Sequence, residues 1–142
     1  MNLDDLQAMI EKDSVIELVN LSRHSIEIPI ISAKYQNLLM DYLRIQKQIE
    51  FKMQKVRKEL LEYYKGYAED SVYKSKPLNR KPAASEVDTY IKADNDWQVI
   101  AAKFEHIAMK IRIVEEFVKQ LNQRSFMIKN AIDYEKFKNG GF

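Results

Sequence analysis

The chain has 142 residues, 46% hydrophobic and 31% charged, with a formal net charge of +2. Its 3 Gly and 3 Pro supply too few turns for a typical all-β or α/β fold, and the lack of Cys excludes disulfides and thiolate metal sites. The length suits one domain, the acidic start "MNLDDLQAMIEKD" is not a signal peptide, and no apolar run reaches bilayer length.

Leu3, Leu6, Ala8, Met9 and Ile10 predict a short first helix ending near Asp13. Pro29 removes a backbone donor and disfavours helix at Glu27 and Ile28, so a boundary or kink is expected there, with Ser14 or Asn20 capping a helical piece before it. From about Ile30 to Tyr67 the apolar residues Tyr35, Leu38, Tyr42, Ile45, Ile49, Met53, Val56, Leu60, Tyr63 and Tyr67 recur at steps of three and four. That pattern predicts one long amphipathic helix, stopped by Gly66 and the polar residues after it.

Residues 68–93 hold two prolines and several serines with no helical period, and read as a loop. Lys74, Lys76, Arg80 and Lys81 make it basic, which fits either a solvated linker or an arm that touches phosphates. "ADNDW" then opens a second long helix, with Asp94 as N-cap and Asp96 facing the positive end of the dipole. Trp97, Ile100, Phe104, Ile107, Ile111, Val114, Val118 and Leu121 form a heptad seam, which Ser125, Ile128 and Ile132 extend. A last helical piece, "RSFMIKNAIDYEKF", ends at "KNGGF", where the glycines release the chain.

The expected fold is all-α: long amphipathic helices in a hairpin or bundle. Residues 1–67 carry the N-terminal helices, 68–93 the loop, and 94–142 the helices for packing and assembly. Ile113, Phe117, Phe126 and Met127 lie off the main seam and need cover, which a homo-oligomer would supply.

Charge is distributed unevenly. Residues 1–19 carry Asp4, Asp5, Glu11, Asp13 and Glu17, whereas residues 44–65 concentrate lysine and arginine. At 100° per residue, Arg44, Lys47, Lys55, Lys58 and Lys65 fall opposite the apolar seam, with Arg57 and Lys52 on the flanks and Glu62 nearby. Phe51 falls among these cations. Such a stripe either keeps the helix soluble or tracks phosphates while Phe51, with Tyr64 as a second candidate, stacks on unpaired bases. Phe51 equally suits a contact with a neighbouring subunit.

Enzyme chemistry is not expected. His24 and His106 have no matched carboxylate or nucleophile motif, no phosphate-cradling glycine loop is present, and no metal or cofactor site is supported.

The order of "LDDLQ" at 3–7, "KELLEYYKG" at 58–66, "TYIKADND" at 89–96 and "RSFMIKNAIDYEKF" at 124–137 resembles the UvsY family, the recombination mediators of T4-type bacteriophages. The resemblance covers nearly the whole chain. It implies a non-catalytic protein that binds single-stranded DNA and helps a RecA-like recombinase load onto strands coated by a single-stranded-DNA-binding protein. It also implies ring-like homo-oligomers of six or seven subunits, in the cytoplasm of the infected host.

By that resemblance Lys58 matches the family's DNA-contacting lysine. The next basic position of the motif is Leu60 here, on the apolar seam, so Arg57, Lys55 and Lys65 are expected to take its role. Phe126, Met127 and Ile128 match the C-terminal assembly segment, and Phe117, Leu121 and Ile132 join them as expected subunit contacts. Without the resemblance, an oligomeric coiled-coil scaffold with no nucleic-acid role fits the same seams.

Overall fold

Helices α1 (Leu3–Ser14), α2 (Leu21–Lys65), α3 (Asp70–Ser75), α4 (Val87–Ala93) and α5 (Asn95–Lys138) follow in chain order, with 3-10 turns at Leu18–Asn20 and Ala84–Glu86. The structure is a computed structural model that describes residues 1–140 and contains no strand among them. Gly141, one of the glycines expected to release the chain, lies outside the described residues, as does Phe142. The all-α expectation holds.

Local signals set most helix ends. Asn2 caps α1, its side chain accepting the Asp5 N–H at 2.8 Å. Ser14 closes α1, its hydroxyl donating to the Ile10 carbonyl at 2.6 Å. Asn20 closes the 3-10 turn before α2 and donates to the Glu17 carboxylate at 2.9 Å.

Pro29 marks no boundary, because α2 runs through it. Pro29 leaves the Ser25 carbonyl without its helical donor, and both residues are solvent-exposed, so water can replace the lost bond. Nor are residues 68–93 a plain loop: α3 and α4 form within them. The chain divides into two compact units, one of residues 1–43 and 109–142, the other of residues 44–108.

In the first unit, the N-terminal part of α2 packs antiparallel to the C-terminal part of α5. Tyr35 meets Phe117 edge-on at 4.5 Å between ring centroids, and the Lys110 ammonium sits 5.5 Å from the Tyr42 ring. α1 docks through Asp13. Its carboxylate accepts Lys34 at 2.8 Å and the Tyr35 hydroxyl at 2.7 Å, while its carbonyl accepts Arg124 at 2.9 Å. His24 is structural, its Nε2 accepting the Glu17 N–H at 3.0 Å.

The buried face of α5 departs from the heptad reading. Val114, Phe117, Leu121, Arg124 and Ile128 are buried, whereas Ser125 is exposed. The covered stripe takes 117/124 in place of 118/125 because α2 and α1 lie over that flank, Tyr35 against Phe117 and the Asp13 carbonyl on Arg124. Phe117, expected between subunits, is therefore only 2% exposed in the single chain, and Leu121 and Ile128 are buried beside it.

The second unit is built on Leu60, Tyr63, Tyr64, Val87 and Ile91, with Val56, Tyr73, Leu78, Tyr90 and Trp97 packed around them. The short helices exist because this cluster covers them. The 7-residue α4 buries Val87 and Ile91, far too little helix to persist alone. The Tyr73 hydroxyl of α3 donates to the Tyr63 carbonyl at 2.7 Å and accepts the Ala68 N–H at 3.3 Å.

Asp94 caps α5 as its sequence position suggests, accepting the Asp96 N–H at 2.9 Å. It also accepts the Tyr64 hydroxyl at 2.7 Å and Lys76 at 3.3 Å. Burial alone would raise its carboxyl, but the bonds from Tyr64, the Asp96 N–H and Lys76 outweigh that and hold it below the usual carboxylate value.

Candidate nucleic-acid interface

All the cations predicted to contact DNA lie in the second unit, on the stretch of α2 from Arg44 to Lys65. The structure keeps them exposed and buries the opposite side, where Leu60 and Tyr63 enter the cluster. Leu60 is thus committed to the core, and no cation replaces it at that position.

The stripe residues differ in how much of their charge is already engaged. Lys55 and Lys65 make no ion pair among the described residues, and Lys58 makes only a loose one, 3.9 Å from Glu62 within its own helix. Exposed pairs of that kind contribute little, so the ammonium is available to a stronger anion. Lys47 reaches Glu50 at 3.3 Å and stands 5.5 Å from the centre of the Phe51 ring. Arg44 is exposed at the start of the stretch.

Arg57 faces elsewhere. Both its terminal nitrogens donate to Asp88 of α4, at 3.2 and 3.3 Å. Lys92 meets the same carboxylate at 3.1 Å, and hydrogen bonds from Lys92 and then Arg57 hold Asp88 below the usual carboxylate value. Arg57 thereby ties α2 to α4 and is placed apart from Lys55 and Lys58.

The two stacking candidates separate cleanly. Phe51 is 52% exposed among the cations, with Lys47 over its ring. Tyr64 is not a platform: it is 9% exposed, its ring lies 5.0 Å from Tyr63, and its hydroxyl is bonded to Asp94. Burial first, and then Asp94, push its hydroxyl pKa well above the usual phenol value. The residues after α2 cover the flank of the helix that a wheel leaves open.

Sequence reasoning also placed Tyr67 on the apolar seam, whereas α2 ends at Lys65 and Tyr67 projects 77% exposed. The signal was Gly66, whose φ of +85° marks the turn that takes Tyr67 off the helix.

The expected assembly residues also part company. Phe126 is 69% exposed and Met127 is exposed beside it, whereas Ile132 is half-buried. Tyr134 and Phe137 are exposed too, and on a helix they share one face with Phe126.

Among the described residues no group of side chains suited to a metal ion occurs, and no helix is long and apolar enough to cross a membrane.

These features define an all-helical protein built on two long amphipathic helices, one of them carrying an exposed cationic and aromatic face. The chain belongs to the UvsY family, described as recombination, repair and single-stranded-DNA-binding proteins, whose model matches residues 9–141. No match was found among curated protein sequences.

The fold is that of crystal structures of the bacteriophage T4 recombination mediator protein UvsY. Lattice type II has a TM-score of 0.89 at 22% identity, covering 98% of both chains. Lattice type IV gives 0.85 at 23% identity, over 97% of this chain and 99% of that one. Lattice type I gives 0.86 at 21% identity, over 94% and 98%.

Proposed function

We propose that this chain is a phage recombination mediator that binds single-stranded DNA through Lys47, Lys55, Lys58 and Lys65 with Phe51, and has no catalytic activity of its own. One observation carries the reading: in a member of this family, exposed cations share a helix face with an exposed aromatic ring. Arg44 extends this face, while Arg57 supports it by bracing α4. Phosphates neutralise the lysines and release counterions, while Phe51 stacks on a base.

Repetition of the face in a ring of six or seven copies turns weak single contacts into tight binding by raising effective concentration. Holding a strand in this way displaces the single-stranded-DNA-binding protein and presents DNA to a RecA-like recombinase, in the infected host cell. Anisotropy titration of a labelled single-stranded oligonucleotide over a salt series, against duplex of equal length, tests the reading. Tight, steeply salt-dependent and strand-selective binding is expected. No binding at low salt would leave an oligomeric scaffold.

Assembly has its own prediction. Phe126→Ser with Phe137→Ser removes two exposed rings from the C-terminal face of α5 without opening the core. The mass in light scattering should fall to smaller species, and an unchanged mass would place the subunit contact elsewhere. Ile128 is unsuited to this test, because its substitution opens the core of the first unit.

A further inference from the structure

We propose that Tyr67, flanked by Lys81, is a second base-stacking platform for single-stranded DNA at the C-terminal end of the α2 stripe. The inference rests on the reading of that stripe as a DNA track and adds a contact outside the helix.

The backbone holds Tyr67 in a defined place. The Gly66 N–H donates to the Tyr63 carbonyl at 3.2 Å and the Tyr67 N–H to the Glu62 carbonyl at 2.8 Å. With Gly66 at positive φ, this is a Schellman closure, which fixes the residue after the glycine against the helix end. Such closures usually bury the residue at the Tyr67 position against an apolar residue of the last turn. The partner positions here are Glu62 and Leu61, and Tyr67, at 77% exposed, keeps most of its ring in water. With its backbone pinned, only the two side-chain torsions of Tyr67 remain to be fixed when a base stacks on it.

The cation beside it is also held. The Lys81 ammonium lies 6.0 Å from the Tyr67 ring centroid and against the bare Cα of Gly66, 3.5 Å from where a Cβ would stand. Its segment is tacked down on both sides. The Tyr63 hydroxyl donates to the Lys76 carbonyl at 3.0 Å, Leu78 packs on the cluster, and Pro82 is buried. A cation beside an exposed ring repeats the Lys47–Phe51 pair at the other end of the stripe. Lys65, the last cation of α2, lies two residues before Tyr67. Glu69 and Asp70 follow at the start of α3, so the positive charge beside the ring is Lys81 and what Tyr67 adds is a stacking surface.

Two probes separate base from phosphate: a labelled thymidine oligonucleotide and an abasic oligonucleotide of equal length. For Tyr67→Ala in the full chain, affinity for the thymidine probe should fall about 5- to 150-fold, the range for one stacked base. Affinity for the abasic probe should stay at the wild-type level, and Tyr67→Phe should restore thymidine binding. Wild-type thymidine binding by Tyr67→Ala overturns this proposal and leaves the stripe reading intact. Equal losses on both probes overturn it too, as does a smaller mass in light scattering, which would place Tyr67 between subunits. If the wild-type chain binds neither probe, the DNA reading falls and this proposal with it.

Discussion

Replacing Lys55, Lys58 and Lys65 together by alanine should weaken single-stranded DNA binding by about 50-fold at 0.15 M salt. Each phosphate contact on a single strand adds about 0.7 to the slope of log affinity against log salt, so three contribute about 2.1. Across the interval from 1 M to 0.15 M that slope is worth about 1.7 decades, or about 50-fold. The fold should survive, because these side chains are exposed and make at most the loose Lys58–Glu62 pair. Lys12 of α1 is an exposed control outside the stripe, and its alanine variant should bind as the wild type does. An unchanged salt slope in the triple variant would move the DNA site off α2. Arg57→Ala alone should act differently. It cuts the tie to Asp88, so its effect should appear in unfolding more than in the salt slope.

What the sequence could disclose follows from the range of each interaction. The long helices were legible because their apolar residues repeat every three or four positions over dozens of residues, and burial at Tyr35, Tyr42, Leu60 and Tyr63 follows that repeat. Asp94 was legible as a cap because its partner, the Asp96 N–H, is two residues away. Its bond to Tyr64 spans 30 residues and leaves no local trace. For the same reason Tyr64, which sits off the seam on a wheel, read as exposed until α4 and the segment before it covered that flank. The 6-residue α3 and 7-residue α4 lack a period of their own, since tertiary cover sustains them. Phe117 was missed in the same way. It flanks the heptad seam, and its cover, Tyr35 of α2, is distant in sequence and leaves no local trace.

Within the second unit the three residue types around Asp94 depend on it together, and its removal should cost more stability than any other single polar change there. Asp94→Ala leaves the buried Tyr64 hydroxyl without an acceptor, about 1–3 kcal/mol, and strips the cap of α5, about 1 kcal/mol. The exposed end of Lys76 adds little, because water replaces its partner. A combined loss of about 3 kcal/mol should lower the midpoint of thermal unfolding by roughly 10 °C. Trp97, the only tryptophan, packs on this cluster, so its fluorescence reports the unit directly. Asp94→Asn keeps one oxygen for the cap and turns its amide NH2 to the Tyr64 hydroxyl, which can accept from it, and should lose less. The charge itself is read by pH. Because the folded carboxyl titrates below its unfolded value of about 3.9, its stabilisation is complete above that value and is lost as pH falls through the folded one. Wild-type stability should therefore drop below about pH 4, and Asp94→Asn should show a shallower drop. Asp13 leaves a residual slope in that variant: burial opposes its ionisation, but the bonds from Lys34 and Tyr35 prevail and hold it low as well. An acid limb of equal steepness in both proteins, followed by Trp97, would show that the Asp94 charge does not hold this unit together.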